Sequence, residues 1–165
     1  MAKELELPVK EGDAAPLFSA KAGGNVTVSL ADLRGKNVVL YFYPRDNTPG
    51  CTVEACRFRD QFADFEKHGI VILGVSADSI ASHDKFTQRF QLPFVLLADE
   101  DKNLARAYGA WGEKNFLGRK YMGMRRMTFL IGPDGRIRKI WRKVKIPQHA
   151  AEVLAAALET DGPVG

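Results

Sequence analysis

Two cysteines occur in the 165-residue chain, Cys51 and Cys56, and the types and spacing of the residues around them allow thiol chemistry. Cys51 follows Pro44-Arg45-Asp46-Asn47-Thr48-Pro49-Gly50, a polar loop punctuated by Pro and Gly, which itself leaves an apolar run. The spacing predicts a helix that opens at Cys51. A thiolate there faces unpaired backbone N–H groups and the positive end of the helix dipole. Both favour the thiolate, the nucleophilic form of cysteine. Thr48, three residues earlier, offers a hydroxyl that accepts from, or donates to, a molecule beside the sulfur. The plain alternative for Cys51 is a small buried hydrophobe, as many free cysteines are. A polar loop at a strand end argues against it, because in open α/β sheets ligands bind at such strand-to-helix loops.

Cys56 lies five residues on. On one ideal helix the two Cα atoms stand about 8.5 Å apart. A disulfide needs Cα atoms within about 7 Å. A bond between them therefore requires the first turn to unwind, which suits a transient disulfide better than a permanent one. Cys56 as an inert position on the helix's apolar stripe is the alternative. A thioredoxin-type redox pair has two intervening residues, and this pair has four. Zinc prefers four ligands, often in closely spaced cysteine pairs. His68, His83 and His149 show no ligand spacing with the cysteines, although a site of two Cys and two His stays geometrically possible.

Several elements must position this segment. Short apolar runs at 37–43, 69–76, 94–98 and 127–132 read as strands, apolar on both faces and so covered on both sides. Pro133-Asp134-Gly135 marks a turn, so 127–131 and 136–141 read as a hairpin. A second hairpin is expected from 18–20 across Gly23-Gly24-Asn25 to 26–28. Helical periodicity runs through Val53, Cys56, Phe58, Phe62 and Phe65, and over 80–90, 103–108 and 148–158. Helices between strands predict a three-layer α/β sandwich with a central mixed sheet flanked by helices.

Composition agrees with one globular domain spanning 1–165. The chain is 45% hydrophobic and 27% charged, which excludes disorder as the default. Its net charge of +4 permits an anionic partner without requiring one. Residues 1–10 alternate charge and Leu, and no apolar run approaches the length of a secretory signal or a membrane span. A cytoplasmic protein is expected, and in a reducing compartment two nearby cysteines point to reactivity rather than a structural staple. Arg136, Arg138, Lys139, Arg142, Lys143 and Lys145 around Trp141 form a basic stretch, read as a solvent-facing strand rather than a nucleic-acid site. Trp111 and Phe116 flank a Gly-containing stretch, 109–123, that lines an entrance, forms a docking surface or packs into the core.

The segment from Tyr43 through Pro44, Thr48, Cys51, Glu54 and Cys56 to Phe58-Arg59-Asp60 resembles a peroxiredoxin active site, in particular that of the peroxiredoxin Q or bacterioferritin comigratory group. The similarity continues through Gly12-Asp13-Ala14-Ala15-Pro16, Leu33-Arg34-Gly35-Lys36, Gly74-Val75-Ser76, Leu92-Pro93-Phe94 and 126–131, and spans about 12–158. One departure is Gly132, where Asp is common in the turn.

The resemblance implies a thioredoxin-like fold and thiol-dependent peroxidase activity. Cys51 would be the peroxidatic cysteine, Thr48 would hydrogen-bond the peroxide and Pro44 would shield the sulfur. Arg126, read as lying on the late strand, would favour the thiolate and the leaving oxygen, with Arg125 a solvated charge on the opposite face. Cys56 would resolve the sulfenic acid as an intramolecular Cys51–Cys56 disulfide. The implied partners are hydrogen peroxide, organic hydroperoxides, and thioredoxin or a related dithiol, without cofactor, metal, nucleic acid or membrane. A monomer is expected, with a dimer as the alternative. A redox-regulated binding or chaperone protein of the same fold is the rival reading, and Thr48 and Arg126 weigh against it.

Overall fold

The computed structural model describes residues 6–160, so the first five residues of the 1–10 segment and the last five of the chain lie outside it. Nine strands and five helices are described: β1 Ser19–Ala22, β2 Val26–Ser29, β3 Val38–Phe42, α1 Pro49–Asp60, α2 Phe62–Lys67, β4 Val71–Ser76, α3 Ile80–Phe90, β5 Val95–Ala98, α4 Asn103–Tyr108, β6 Trp111–Phe116, β7 Arg119–Met124, β8 Met127–Ile131, β9 Ile137–Trp141 and α5 Ile146–Thr160. Seven strands form one sheet in the order β2-β1-β5-β4-β3-β8-β9. Strand β3 pairs in parallel with β4 and antiparallel with β8, so the sheet is mixed. This is the mixed sheet flanked by helices expected from the alternation of strands and helices, and the thioredoxin-like fold that the resemblance implies.

Strand β3 is central and buried at every residue. Val39 and Tyr41 face a core completed by α1, α2, α3 and α5, while Val38, Leu40 and Phe42 face a second core with α4. Covering on both sides is why the run reads as continuously apolar rather than alternating. Gly74 of β4 makes room for the Tyr41 ring, since a Cβ there would stand 2.9 Å from Tyr41 Cζ. Tyr41 in turn stacks on Phe58 of α1, with centroids 4.8 Å apart. The sheet thus fixes the depth and rotation of the helix that carries the cysteines.

Three features differ from the sequence reading. The helical stretch ending at Phe65 is broken at Gln61 (φ −104°, ψ 7°), and Phe58 and Phe65 stay buried on either side. The 109–123 stretch is a separate two-stranded hairpin, β6 with β7. Its strands mix polar and apolar residues and are mostly exposed, and its turn places Leu117 and Gly118 at φ 52° and 80°. Leu rarely takes that conformation, so the usual Asn-Gly turn signal is missing. The C-terminal helix runs two residues further at each end than its apolar pattern, 146–160 against 148–158. The basic stretch falls on and beyond β9, where Arg138 and Lys139 are exposed. Among the described residues, no helix is long and apolar enough to cross a membrane.

Candidate active site

Helix α1 begins at Pro49, with Thr48 as its N-cap. Proline suits the first helical position because its missing N–H has no helical partner there. The Thr48 hydroxyl does not cap the helix; it donates backward to Arg45 O at 2.9 Å. Its proton is therefore committed to the loop, and its oxygen presents lone pairs to whatever enters. Cys51, Ala55 and Phe58 fall at i, i+4 and i+7 on the buried face, with Glu54 beside them. Cys51 is 1% exposed.

Arg126 reaches this face from the short connection between β7 and β8. Its Nη2 donates to Cys51 Sγ at 3.4 Å and its Nη1 to Glu54 Oε1 at 2.6 Å. Gly50 permits the approach, because a Cβ there would sit 3.3 Å from Arg126 Nη2 and 3.4 Å from Ile146 Cδ1. Arg126 thus precedes β8 instead of lying on a strand, and alternation along a strand is not what separates it from Arg125. Arg125 turns away to donate to Gly109 O at 3.0 Å and Glu113 O at 3.2 Å. It is a clamp on β6, not a solvated charge.

The surroundings are strongly polarised. Burial pushes the Glu54 carboxyl up to about 7, against the pull of the Arg126 guanidinium. Burial lowers Arg126, but Glu54 and Cys51 more than offset this and raise it. His149 of α5 shares a 2.7 Å hydrogen bond with Thr128 of β8. Burial, helped by the Arg126 charge, pulls His149 down to about 4, so its ring is neutral near neutral pH. Burial and the Arg126 charge also lower Lys114, while Cys51 acts in the opposite direction.

Pro44 and Thr48 line an open groove of about 470 Å³ with Ala77, Asp78, Trp111 and Met124. Trp111 is therefore part of an entrance wall, whereas Phe116 is 65% exposed and away from it. Cys56 is half-buried further along α1, and both cysteines are free thiols. Pro44 and Thr48 share the groove because one loop carries them into α1, and Arg126 reaches Cys51 on that helix through the sheet. Sequence reasoning passed over Glu54 as a partner of Arg126; its position three residues after Cys51, on the same helix face, was the available signal. It also passed over His149 and Thr128, which no local pattern marks.

A thioredoxin-like fold with a buried cysteine in the first turn of a helix, bonded to an arginine and three residues after a threonine that lines a groove, defines a thiol-dependent peroxidase. The AhpC/TSA family model matches residues 11–140. Peroxiredoxin Bcp of Bacillus subtilis is 48% identical over 148 residues, covering 90% of this chain and 94% of that protein. Peroxiredoxin Bcp of Escherichia coli K12 is 42% identical over 147 residues, covering 89% and 94%. A structure of the Xanthomonas campestris bacterioferritin comigratory protein superposes with a TM-score of 0.85 at 41% identity, covering 92% of this chain and 97% of that one. The chain belongs to the AhpC/TSA family, among the peroxiredoxins of the Q or bacterioferritin comigratory group.

Proposed function

We propose that Cys51 is the peroxidatic cysteine of a peroxidase that reduces hydrogen peroxide and alkyl hydroperoxides. The observation that carries this reading is the Arg126 Nη2 to Cys51 Sγ contact of 3.4 Å at the start of α1. The thiolate sulfur attacks the terminal peroxide oxygen and the O–O bond breaks. The leaving oxygen takes up a proton and departs as water or alcohol, and Cys51 becomes a sulfenic acid. Arg126 donates to the sulfur and steadies the charge that moves onto the leaving oxygen. Thr48, with its own proton held by Arg45 O, accepts the hydrogen bond of the peroxide O–H. Pro44 forms the wall that keeps bulk water from the sulfur. The related Xanthomonas campestris protein is described by its alkyl peroxide reduction, which supports this substrate class.

Cys56 resolves the intermediate. Its sulfur attacks the sulfenic sulfur, the S–O bond breaks, the hydroxyl leaves as water with the thiol proton of Cys56, and a Cys51–Cys56 disulfide forms. Thioredoxin or a similar dithiol protein reduces that bond. The whole chain acts as one domain, a monomer in the cytoplasm, with neither nucleic acid nor membrane as partner. The test is peroxide consumption in the presence of thioredoxin and its reductase. The wild-type chain turns over, and Cys51→Ser reduces turnover to background with the fold retained by circular dichroism. Near-normal turnover in Cys51→Ser overturns the assignment.

A further inference from the structure

Asp46 lies two residues after Pro44 and two before Thr48, and three donors converge on its carboxylate. Tyr43 Oη donates at 2.6 Å, Ser82 Oγ at 2.7 Å, and His83 Nδ1 lies 2.7 Å away. The Asp46 amide donates to Asp78 Oδ2 at 2.8 Å, and Ser76 Oγ donates to the same oxygen at 2.6 Å. His83 is completely buried, and its other ring nitrogen, Nε2, lies 2.8 Å from Leu97 O. A carbonyl only accepts, so Nε2 carries a proton. Tyr43 and Ser82 donate to Asp46, and His83 Nδ1 shares the third side-chain hydrogen bond of the same carboxyl group. Burial works against charge on His83, but the Asp46 hydrogen bond and charge, with Leu97 O and Asp78, outweigh it and raise its pKa.

The atoms of Asp46, Asp78 and His83 that lie within 4.8 Å of one another are those a cation would use. Hydrogen bonds already occupy them, which makes the cluster a brace rather than an ion site. The brace has something to hold. Asn47, between Asp46 and Thr48, sits at φ 61°, a left-handed conformation that asparagine tolerates better than most L residues, and it turns the chain between them. Arg89 Nη1 donates to Asn47 Oδ1 at 3.3 Å. Ser82, His83 and Arg89 all lie on α3, so one helix grips the active-site loop at two successive residues.

We infer that His83 is a positioning residue for the peroxide step, acting through Asp46 to hold the 44–48 turn so that Pro44 and Thr48 stand in register with Cys51. The inference rests on the functional reading above. It assigns His83 no contact with substrate; the side chain that touches the Cys51 sulfur is Arg126. Loss of the brace therefore slows attack on peroxide while leaving the reactivity of the thiol toward an unrelated electrophile unchanged.

Two substitutions separate the bonds of His83. In His83→Asn the amide nitrogen stands near Nδ1 and keeps the donor to Asp46. In His83→Gln it reaches toward Leu97 O and leaves Asp46 with only its Tyr43 and Ser82 hydrogen bonds. Stopped-flow oxidation of reduced Cys51 by hydrogen peroxide is compared with alkylation by iodoacetamide. Expected is a loss of about tenfold or more in the peroxide rate for His83→Gln, since sub-ångström misplacement of reacting groups is costly. His83→Asn stays near the wild-type rate, and alkylation is unaltered in both. Ser82→Ala, which removes one donor to Asp46 and leaves the core intact, also slows the peroxide step alone. Equal loss in Asn and Gln overturns the inference, as does parallel loss of alkylation. If the His83 variants do not fold, a wild-type peroxide rate in Ser82→Ala overturns it. A wild-type chain whose Cys51 is inert to peroxide instead removes the functional reading itself.

Discussion

Cys51 and Glu54 lie one turn apart on the buried face of α1, and a single guanidinium serves both: Arg126 Nη2 on the sulfur at 3.4 Å, Nη1 on the carboxylate at 2.6 Å. Two acidic groups therefore compete for one cation in a site where Glu54 is 1% exposed. Glu54 Oε2 is buried without a hydrogen-bond partner, so the carboxylate depends on Arg126 for its charge balance. Protonation of Glu54 leaves the guanidinium to the sulfur.

Arg126→Ala removes both bonds at once. A hydrogen bond to a charged group contributes about 1.5–3 kcal/mol, so peroxide attack slows by roughly ten- to a hundredfold. The orphaned Glu54 then takes up a proton rather than stay charged in the interior. Arg125→Ala loosens the Gly109 and Glu113 carbonyl contacts of the β6 edge and leaves the chemistry nearly intact. Single-turnover oxidation of both variants distinguishes them. Equal losses would falsify the choice of Arg126.

Thr48→Val removes the oxygen that faces the groove and the bond to Arg45 O, whereas Thr48→Ser preserves both. The expected loss for Val is about tenfold in kcat/KM, the equivalent of one net hydrogen bond of about 1.4 kcal/mol, with Ser near wild type. Steady-state kinetics with hydrogen peroxide provides the measurement. A Val variant as active as Ser removes Thr48 from the peroxide step.

Stability responds to pH through two buried groups of opposite sign. Glu54 is raised to about 7, so its contribution is present below about 4.5 and lost as pH rises through about 7. His149 is lowered to about 4, so its contribution is present above about 6.5 and lost as pH falls through about 4. Between these limits the two offset one another; His83 and Asp99, both raised, act on the Glu54 side. His149→Gln removes the acid-side loss. Relative to wild type it gains about 3 kcal/mol between pH near 7 and pH near 4, from the linkage of a depressed histidine. Urea unfolding across this range measures the gap. A gap that does not change with pH means that His149 does not titrate as its burial requires.

Disulfide formation competes with α1. Cys51 and Cys56 share the helix Pro49–Asp60, and Thr52 N already donates to Thr48 O at 2.8 Å in its first turn. Ideal helix geometry keeps the cysteine Cα atoms about 8.5 Å apart, beyond disulfide reach. Oxidation must unwind these turns and surrender the Cys51–Arg126 contact. Amide exchange over 48–58 is therefore faster in the disulfide form, and that form melts lower despite its extra bond. Cys56→Ser, which cannot close the bridge, keeps the reduced pattern. Its sulfenic acid persists and passes to irreversible sulfinic acid at high peroxide. Identical exchange in the reduced and disulfide forms would show that the helix need not open.

Much of this molecule is set by local sequence. The 37–43 run, short and apolar at consecutive positions, reads as a strand covered on both faces, and it forms β3 over Val38–Phe42. Helices α3 and α4 occupy the ranges their periodicity and end signals predict, with Gln91 and Gly109 in left-handed conformations closing them. Pro44, Thr48 and Cys51 are legible because eight contiguous residues carry them from a strand end to a helix start. Arg126 was found by its motif, since it reaches Cys51 across 75 residues. What tertiary structure alone decided is which polar groups lose water together. Glu54 becomes a partner of Arg126, His149 of Thr128, and His83 of Asp46, each across 21 or more residues. Likewise β6 and β7 are strands because they pair with each other, and their mixed, mostly exposed residues carry no periodic signal. Periodicity records which side chains leave water; it does not record which buried charges meet, because that depends on the register of the sheet and the seating of helices upon it.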